Sequence, residues 1–236
     1  MADDRLELLD DGDWQRCLAV VAHPDDLEYG AASAVAKWTS AGRDVAYVLA
    51  TRGEAGLAVP PAEAGPLREE EQRRSAAVVG VTSVTFLDHR DGVVEYGLPL
   101  RRDLAREIRR HRPDVVLSIN RHESWGGPSF NMADHRAVGL AVLDAVRDAA
   151  NPWVFDDLAV EAWDGVRAVL FAASPRAEHA VDVTGFLDRG IESLRQHARY
   201  LEHVGTDAAA MLTEFAVGAG RRAGVEHAVA VELVTP

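Results

Sequence analysis

The sequence predicts an α/β fold: a doubly wound, mostly parallel, Rossmann-like sheet with helices on both faces, built as one domain over residues 1–236. Three observations predict it. Short apolar, β-branched runs alternate with helical segments from residue 17 to about 146, which is the pattern of βαβ units and a parallel sheet. Crossovers in such units are right-handed, so the helices cover both faces. The chain of 236 residues, 47% hydrophobic and 27% charged, can bury a sizeable core. No internal repeat, low-complexity tract or linker divides it.

Taken in order, "CLAVVA" (17–22) reads as a buried strand that runs into a His-Pro-Asp-Asp loop. A helix rich in alanine follows over 30–42, closed by Gly42, and then a β-branched strand over 44–50. Residues 51–66 carry Gly53, Gly56, Pro60, Pro61, Gly65 and Pro66 and read as a loop. A helix over 67–80 ends at Gly80, and 83–87 is a third strand. Over 99–111, Leu100, Leu104 and Ile108 form one helical stripe, and 113–120 is a fourth strand. A helix over 133–146, a strand over 166–173 and a long helix over 186–204 complete the pattern. That last helix puts Leu187, Ile191, Leu194, Ala198 and Leu201 on one face.

Residues 1–15 read as an acidic N-terminal extension. They have no apolar stretch of the kind a secretory signal needs, and no run of 18 apolar residues suggests a membrane span. The single cysteine, Cys17, excludes an internal disulfide, fits a reducing, cytoplasmic setting and reads as a small buried hydrophobe. A net charge of −13 disfavours nucleic acid as a partner. The arginines of "LRRDLAREIRRHRPD" alternate with Asp103 and Glu107, as on a solvated helix face.

Chemistry concentrates in "AHPDD". Ligands of open parallel sheets sit beyond the carboxyl ends of the strands, where this loop must lie. His23 and Asp26 are three residues apart, so an imidazole and a carboxylate can meet one cation, and Pro24 stiffens the turn between them. Asp25 would then stand beside the metal as a general base. The alternative is a polar loop with an aspartate capping the next helix. A third ligand fits His135, in the first turn of the helix over 133–146, with His122 and His89 near strand ends as the other candidates, while Asn131 and Asp134 have N-cap and N3 spacing. An acidic pair after a first strand is also similar to that of receiver domains, but the only lysine is Lys37, in the first helix, where a receiver cannot use it. No G-x-S-x-G or G-x-G-x-x-G is present to support a serine hydrolase or a dinucleotide fold.

With "AHPDDLEYG", "TRGEAG", "LREEEQRRSAAVVGV", "FLDHRDG", "PDVVLS" and "ADHRAVG" in this order, the chain resembles the PIG-L/LmbE family of zinc-dependent N-acetylglucosaminyl deacetylases. That family includes the deacetylase and amidase of mycothiol metabolism. The resemblance implies His23, Asp26 and His135 as zinc ligands, with another divalent ion able to take the same place. It implies Asp25 as general base and Arg68 (with Glu71) and Asp91 at the substrate; Asp134, Glu54 and His122 are candidate supporting groups beside them. It also implies a small aminosugar or glycoconjugate as substrate, and leaves a homo-oligomer open.

Two departures stand out. Family members commonly read His-Pro-Asp-His where this chain reads Met132-Ala133-Asp134-His135. The first histidine there steadies the oxyanion or protonates the leaving amine, and Met132 can do neither. Either Asp25 carries the proton both ways, or His122 or His89 takes part, or the substrate differs. The closing "HARY" (197–200) departs from the family's His-x-Ser-Gln. The expected activity is cleavage of an N-acyl group, commonly acetyl, from an aminosugar. An amidase acting on a thiol conjugate and a zinc- or sugar-binding protein with little hydrolysis are the alternatives.

Overall fold

The computed structural model describes residues 5–10, 12–205 and 207–236. Its sheet comprises β1 (Glu7–Leu8), β2 (Arg16–Val21), β3 (Asp44–Leu49), β4 (Ser83–Phe86), β5 (Val115–Ile119), β6 (Ala168–Ala172), β7 (His179–Asp182) and β8 (Ala228–Val234). The strands lie in the order β1-β7-β8-β6-β5-β2-β3-β4. Every pairing is parallel except the two made by β8, which runs antiparallel between β6 and β7. The helices are α1 (Asp26–Gly30), α2 (Ala32–Ser40), α3 (Pro61–Val78), α4 (Leu98–His111), α5 (Ala133–Ala150), α6 (Leu187–Arg195), α7 (Ala198–Val204) and α8 (Ala208–Ala223).

Both faces of the central strands are covered, which is why they read as unbroken apolar runs. Along β2, Cys17, Ala19 and Val21 pack into one core layer with Val35 and Trp38 of α2 and Ala76 of α3. The alternate residues Leu18 and Val20 pack into the other, against Leu104 and Ile108 of α4 and Val138 and Val142 of α5. This is the period-two geometry of a strand read from both sides. Trp38 meets Trp14 edge to face, with ring centroids 5.2 Å apart.

The sequence expectations hold for β2 to β6 and change elsewhere. The first helix starts at Asp26, directly after the loop, and breaks at Ala31 into α1 and α2. Helix α3 begins at Pro61, inside the stretch expected to be a loop, because a proline suits the first helical position, where its missing N–H is not needed. Pro66 lies inside this helix, where it cannot donate to the turn before it. The long helix over 186–204 is two helices, divided at Gln196 and His197, and the His197 ring turns fully into the interior. Strands β7 and β8 and helix α8 were not anticipated.

The acidic stretch over 1–15 is not a detached extension where it is described. Leu6 and Trp14 are buried, and Glu7–Leu8 pair in parallel with His179 and Ala180 of β7. Residues 1–4 and 11 lie outside the described residues. No described helix is long and apolar enough to cross a membrane.

Two glycines test this packing in opposite senses. A Cβ on Gly190 of α6 would stand 3.0 Å from the backbone nitrogen of Ser33 in α2, so Gly190→Ala should cost about 1–3 kcal/mol in urea denaturation. A Cβ on Gly218 of α8 would meet nothing, and Gly218→Ala should gain up to about 1 kcal/mol in the same assay.

Candidate active site

The site begins where β2 runs out. Asp26 folds its side chain back so that Oδ2 accepts from the backbone N–H groups of Ala22 (3.0 Å) and His23 (2.8 Å). That closes the loop and leaves Oδ1 facing outward. The turn requires Asp25 in the left-handed region, with φ of 86°, a conformation that aspartate tolerates better than most residues. The Asp25 N–H donates to Gln72 Oε1 of α3 at 3.0 Å, which holds it there.

Three donor atoms converge in front of this loop. His135 Nε2, from the first turn of α5, lies 3.1 Å from His23 Nδ1 and 3.1 Å from Asp26 Oδ1. The outer nitrogens of both rings are already engaged. His23 Nε2 lies 3.0 Å from Asp91 Oδ1 and 3.2 Å from Asp134 Oδ2, and His135 Nδ1 lies 2.8 Å from Asn131 Oδ1. An amide oxygen and carboxylates accept, so those outer nitrogens carry the hydrogens. The inner nitrogens and a carboxylate oxygen then converge on one point, an arrangement that is stable only when a cation, whether a proton or a metal ion, sits among them. Bonds of about 2.0–2.1 Å to a tetrahedral zinc would set such donors roughly 3.3 Å apart, close to what is seen. His23, Asp26 and His135 therefore fit a metal ion, and each ligand has the supporting partner that metal sites use.

Asp25 points elsewhere. Its Oδ2 lies 3.0 Å from Arg68 Nη2, and that guanidinium also donates to the Pro24 carbonyl at 2.7 Å and lies over the Tyr200 ring. Burial pushes the Asp25 carboxyl up to about 6, with Arg68 opposing the shift. Asp26 moves the other way: burial would raise it, but the His135 and His23 rings together hold it far below the usual carboxylate range. Beneath them, buried Glu28 accepts from Gln72 Nε2 (2.9 Å) and Ser75 Oγ (2.6 Å), so the amide that fixes Asp25 is itself fixed.

The remaining expected residues divide into two groups. Asp134 is no helix cap; its carboxylate accepts from the N–H groups of Gly92 (2.7 Å) and Val94 (3.1 Å) while facing His23. Asp91 accepts from the Ala55 N–H at 2.7 Å and Glu54 accepts from the Asp91 N–H at 3.0 Å, so this pair locks two loops together behind His23. Glu71 accepts from the Arg199 N–H at 2.7 Å. His122, by contrast, lies 2.7 Å from Glu232 of β8, and His89 lies 3.0 Å from Asp103, each away from the three donors. Sequence reasoning gave Asn131 to capping and overlooked Gln72, Glu28 and Tyr200. The four-residue spacing from Asn131 to His135 across a helix start was the one usable signal.

The site opens into a cavity of about 850 Å³ whose walls include Asp25, Arg68, Asp91, Trp125 and Met132. The profile of the family described as PIG-L, GlcNAc-PI de-N-acetylase, matches residues 18–146, more than half of the chain, with all three donor residues inside it. The chain belongs to the PIG-L family. It is similar to diacetylchitobiose deacetylase of Thermococcus kodakarensis, 28% identical over 94% of this chain and 84% of that one. Among solved structures, the N,N'-diacetylchitobiose deacetylase of Pyrococcus horikoshii superposes with a TM-score of 0.84 at 22% identity, over 94% of this chain and 85% of that one. GalB of Pseudomonas putida, a 4-carboxy-2-hydroxymuconate hydratase, superposes at 0.76 and 22% identity, over 94% and 97%. One PIG-L-like fold thus carries more than one reaction, and the side chains at the site must decide between them.

The supporting partners should be measurable through the metal. Asn131→Ala and Asp134→Ala should each weaken binding of an added divalent metal by about 10–100-fold in chelator competition, with the fold intact by circular dichroism.

Proposed function

We propose that this PIG-L protein is a zinc-dependent hydrolase that removes the N-acyl group of an aminosugar or related glycoconjugate. The observation that carries the reading is the division of labour in one turn of chain: Asp26 joins two imidazoles at a cation site, while its neighbour Asp25 is held off that site by Arg68 and Gln72. The aminosugar comes from the relatives' activities and from the family description. The zinc comes from the donor set of two imidazoles and a carboxylate.

A cation held by His23, Asp26 and His135 supplies Lewis acidity, polarising an amide carbonyl and making water easier to deprotonate. The chain's own part is the movement of protons. Asp25, with a carboxyl raised to about 6, is ionised near neutral pH yet basic enough to take a proton from the attacking water. The water oxygen bonds to the acyl carbon, the C–N bond breaks, and the proton on Asp25 passes to the departing amine. Arg68 fixes the Asp25 carboxylate throughout and offers its charge to the sugar side. Met132 has no proton to give, and His122 and His89 are engaged by Glu232 and Asp103, which supports Asp25 as carrier in both directions. Buried Cys17, pushed by desolvation up to about 12, takes no part and suits the cytoplasmic setting we propose.

Turnover is scored as free amine from N-acetylglucosamine and N-acetylated disaccharides. Dialysis against a chelator should abolish it, and one equivalent of zinc should restore it. Asp25→Ala should retain bound zinc and lose about 10²–10⁴-fold in kcat. Full activity in Asp25→Ala would overturn the mechanism. Stoichiometric zinc with no amine released from any N-acyl sugar or thiol conjugate would leave a binding protein instead.

A further inference from the structure

The cavity is larger than the chemistry at its centre requires. An N-acetyl aminosugar has roughly fifteen heavy atoms and fills at most about 450 Å³, even if each atom takes the volume of a liquid water, against about 850 Å³ available. The surplus lies on one side. The metal donors stand at the end of β2, with β3 and β4 to one side in the sheet and β5, β6 and β8 to the other. Toward β3 and β4 the walls are polar, made by Arg68, Asp91 and the loop backbone at Gly56 and Gly92. Toward β5, β6 and β8 the walls are mostly apolar, made by Tyr29, Ile119, Ala173, Leu187 and Ala230 and roofed by α8, with Ser174, His203 and Arg222 as the polar groups among them.

Helix α8 lays an apolar stripe along this second arm: Leu212, Phe215, Ala216 and Ala219, at helical spacing, all line it, and Arg222, one turn on, ends the stripe with a charge. From Leu212 to Ala219 the stripe runs about 10 Å. The alanines there and at Ala173 and Ala230 leave room that larger side chains would fill. An amide bound at the metal has two substituents pointing apart from its carbonyl carbon. If the sugar, on the nitrogen, occupies the polar arm, the acyl group must enter the apolar one. Acetyl would leave that arm almost empty.

Resting on the hydrolase reading above, we propose that the acyl group this site removes is an apolar chain longer than acetyl, lying along α8. Acetyl is accepted, and each further methylene adds binding, by up to roughly fourfold per group fully taken from water.

The test is a series of N-acylglucosamines carrying acetyl, butanoyl, hexanoyl and octanoyl groups, scored for released glucosamine with the zinc-loaded protein. The expected result is a rise in kcat/KM of at least tenfold from acetyl to octanoyl. Ala216→Phe should flatten the series to within about twofold by filling the arm. Phe215→Ser, on the exposed rim, should reduce the slope without burying anything new. A flat or falling series overturns the proposal, as does a rise seen only for the octyl glycoside of N-acetylglucosamine, which would put the chain on the sugar side. Calorimetry with octanoate against acetate separates this proposal from the deacylase reading. Octanoate binding at least tenfold tighter, and losing that margin in Ala216→Phe, supports the arm even if no amide is cut. Equal binding of the two acids overturns it whatever the turnover.

Discussion

The molecule is organised around the cost of burying four ionisable side chains in one place. His23, Asp25, Asp26 and His135 are each no more than 6% exposed. Groups of this kind are tolerated in an interior only when each finds a partner of suitable charge and geometry. The partners come from the whole length of the first 140 residues: backbone N–H groups of β2 for Asp26, Asn131 for His135, Asp91 and Asp134 for His23, Arg68 and Gln72 for Asp25. Loops after β3, β4 and β5 are thereby drawn to one edge.

The parallel sheet makes this convergence attainable. Strand β2 sits between β3 and β5, so successive crossovers leave it in opposite directions and open a crevice beyond its carboxyl end. The HPDD loop falls into that crevice because it follows β2 without a spacer, and α5 presents His135 there because it follows the neighbouring β5. The left-handed turn at Asp25 is the local strain this placement requires, and it is met by a buried amide that Glu28 in turn holds.

What could be read from the chain alone follows the same logic. Strands β2, β3, β5 and β6 are buried on both faces and announce themselves as apolar runs, while the half-exposed edge strand β4 is marked by its β-branched and aromatic residues. A histidine three residues from an aspartate after an apolar run is a visible pair. Strand β8 was hidden because "AVAVELV" mixes small residues with Glu232, which pairs with His122 and Arg121, and its antiparallel place in the sheet has no local mark. Strand β1 was hidden because two residues carry no periodicity, and α7 because the break at His197 depends on a burial site that other elements build. Asn131 was assigned to a cap because its spacing suits one; its oxygen does accept from the next N–H, of Met132, but also from His135. Other supporting residues, such as Gln72 and Asp91, act through contacts distant in sequence, whereas His23 and Asp26 share one short motif and His135 opens a helix.

The pairing of Glu7–Leu8 with His179 and Ala180 has a consequence for how the protein is made. During synthesis β1 leaves the ribosome long before β7, its neighbour among the described strands, exists, and β7 itself needs the still later β8 on its other side. A nascent chain can assemble β2 to β5 and bring His23, Asp26 and His135 together while this end of the sheet is still missing. Until the last strand arrives, β6 presents a bare row of backbone donors and acceptors, open to pairing with another chain. The hazard of misassembly is therefore concentrated in the interval between the emergence of β6 and that of β8, after the half that carries His23, Asp26 and His135 has formed.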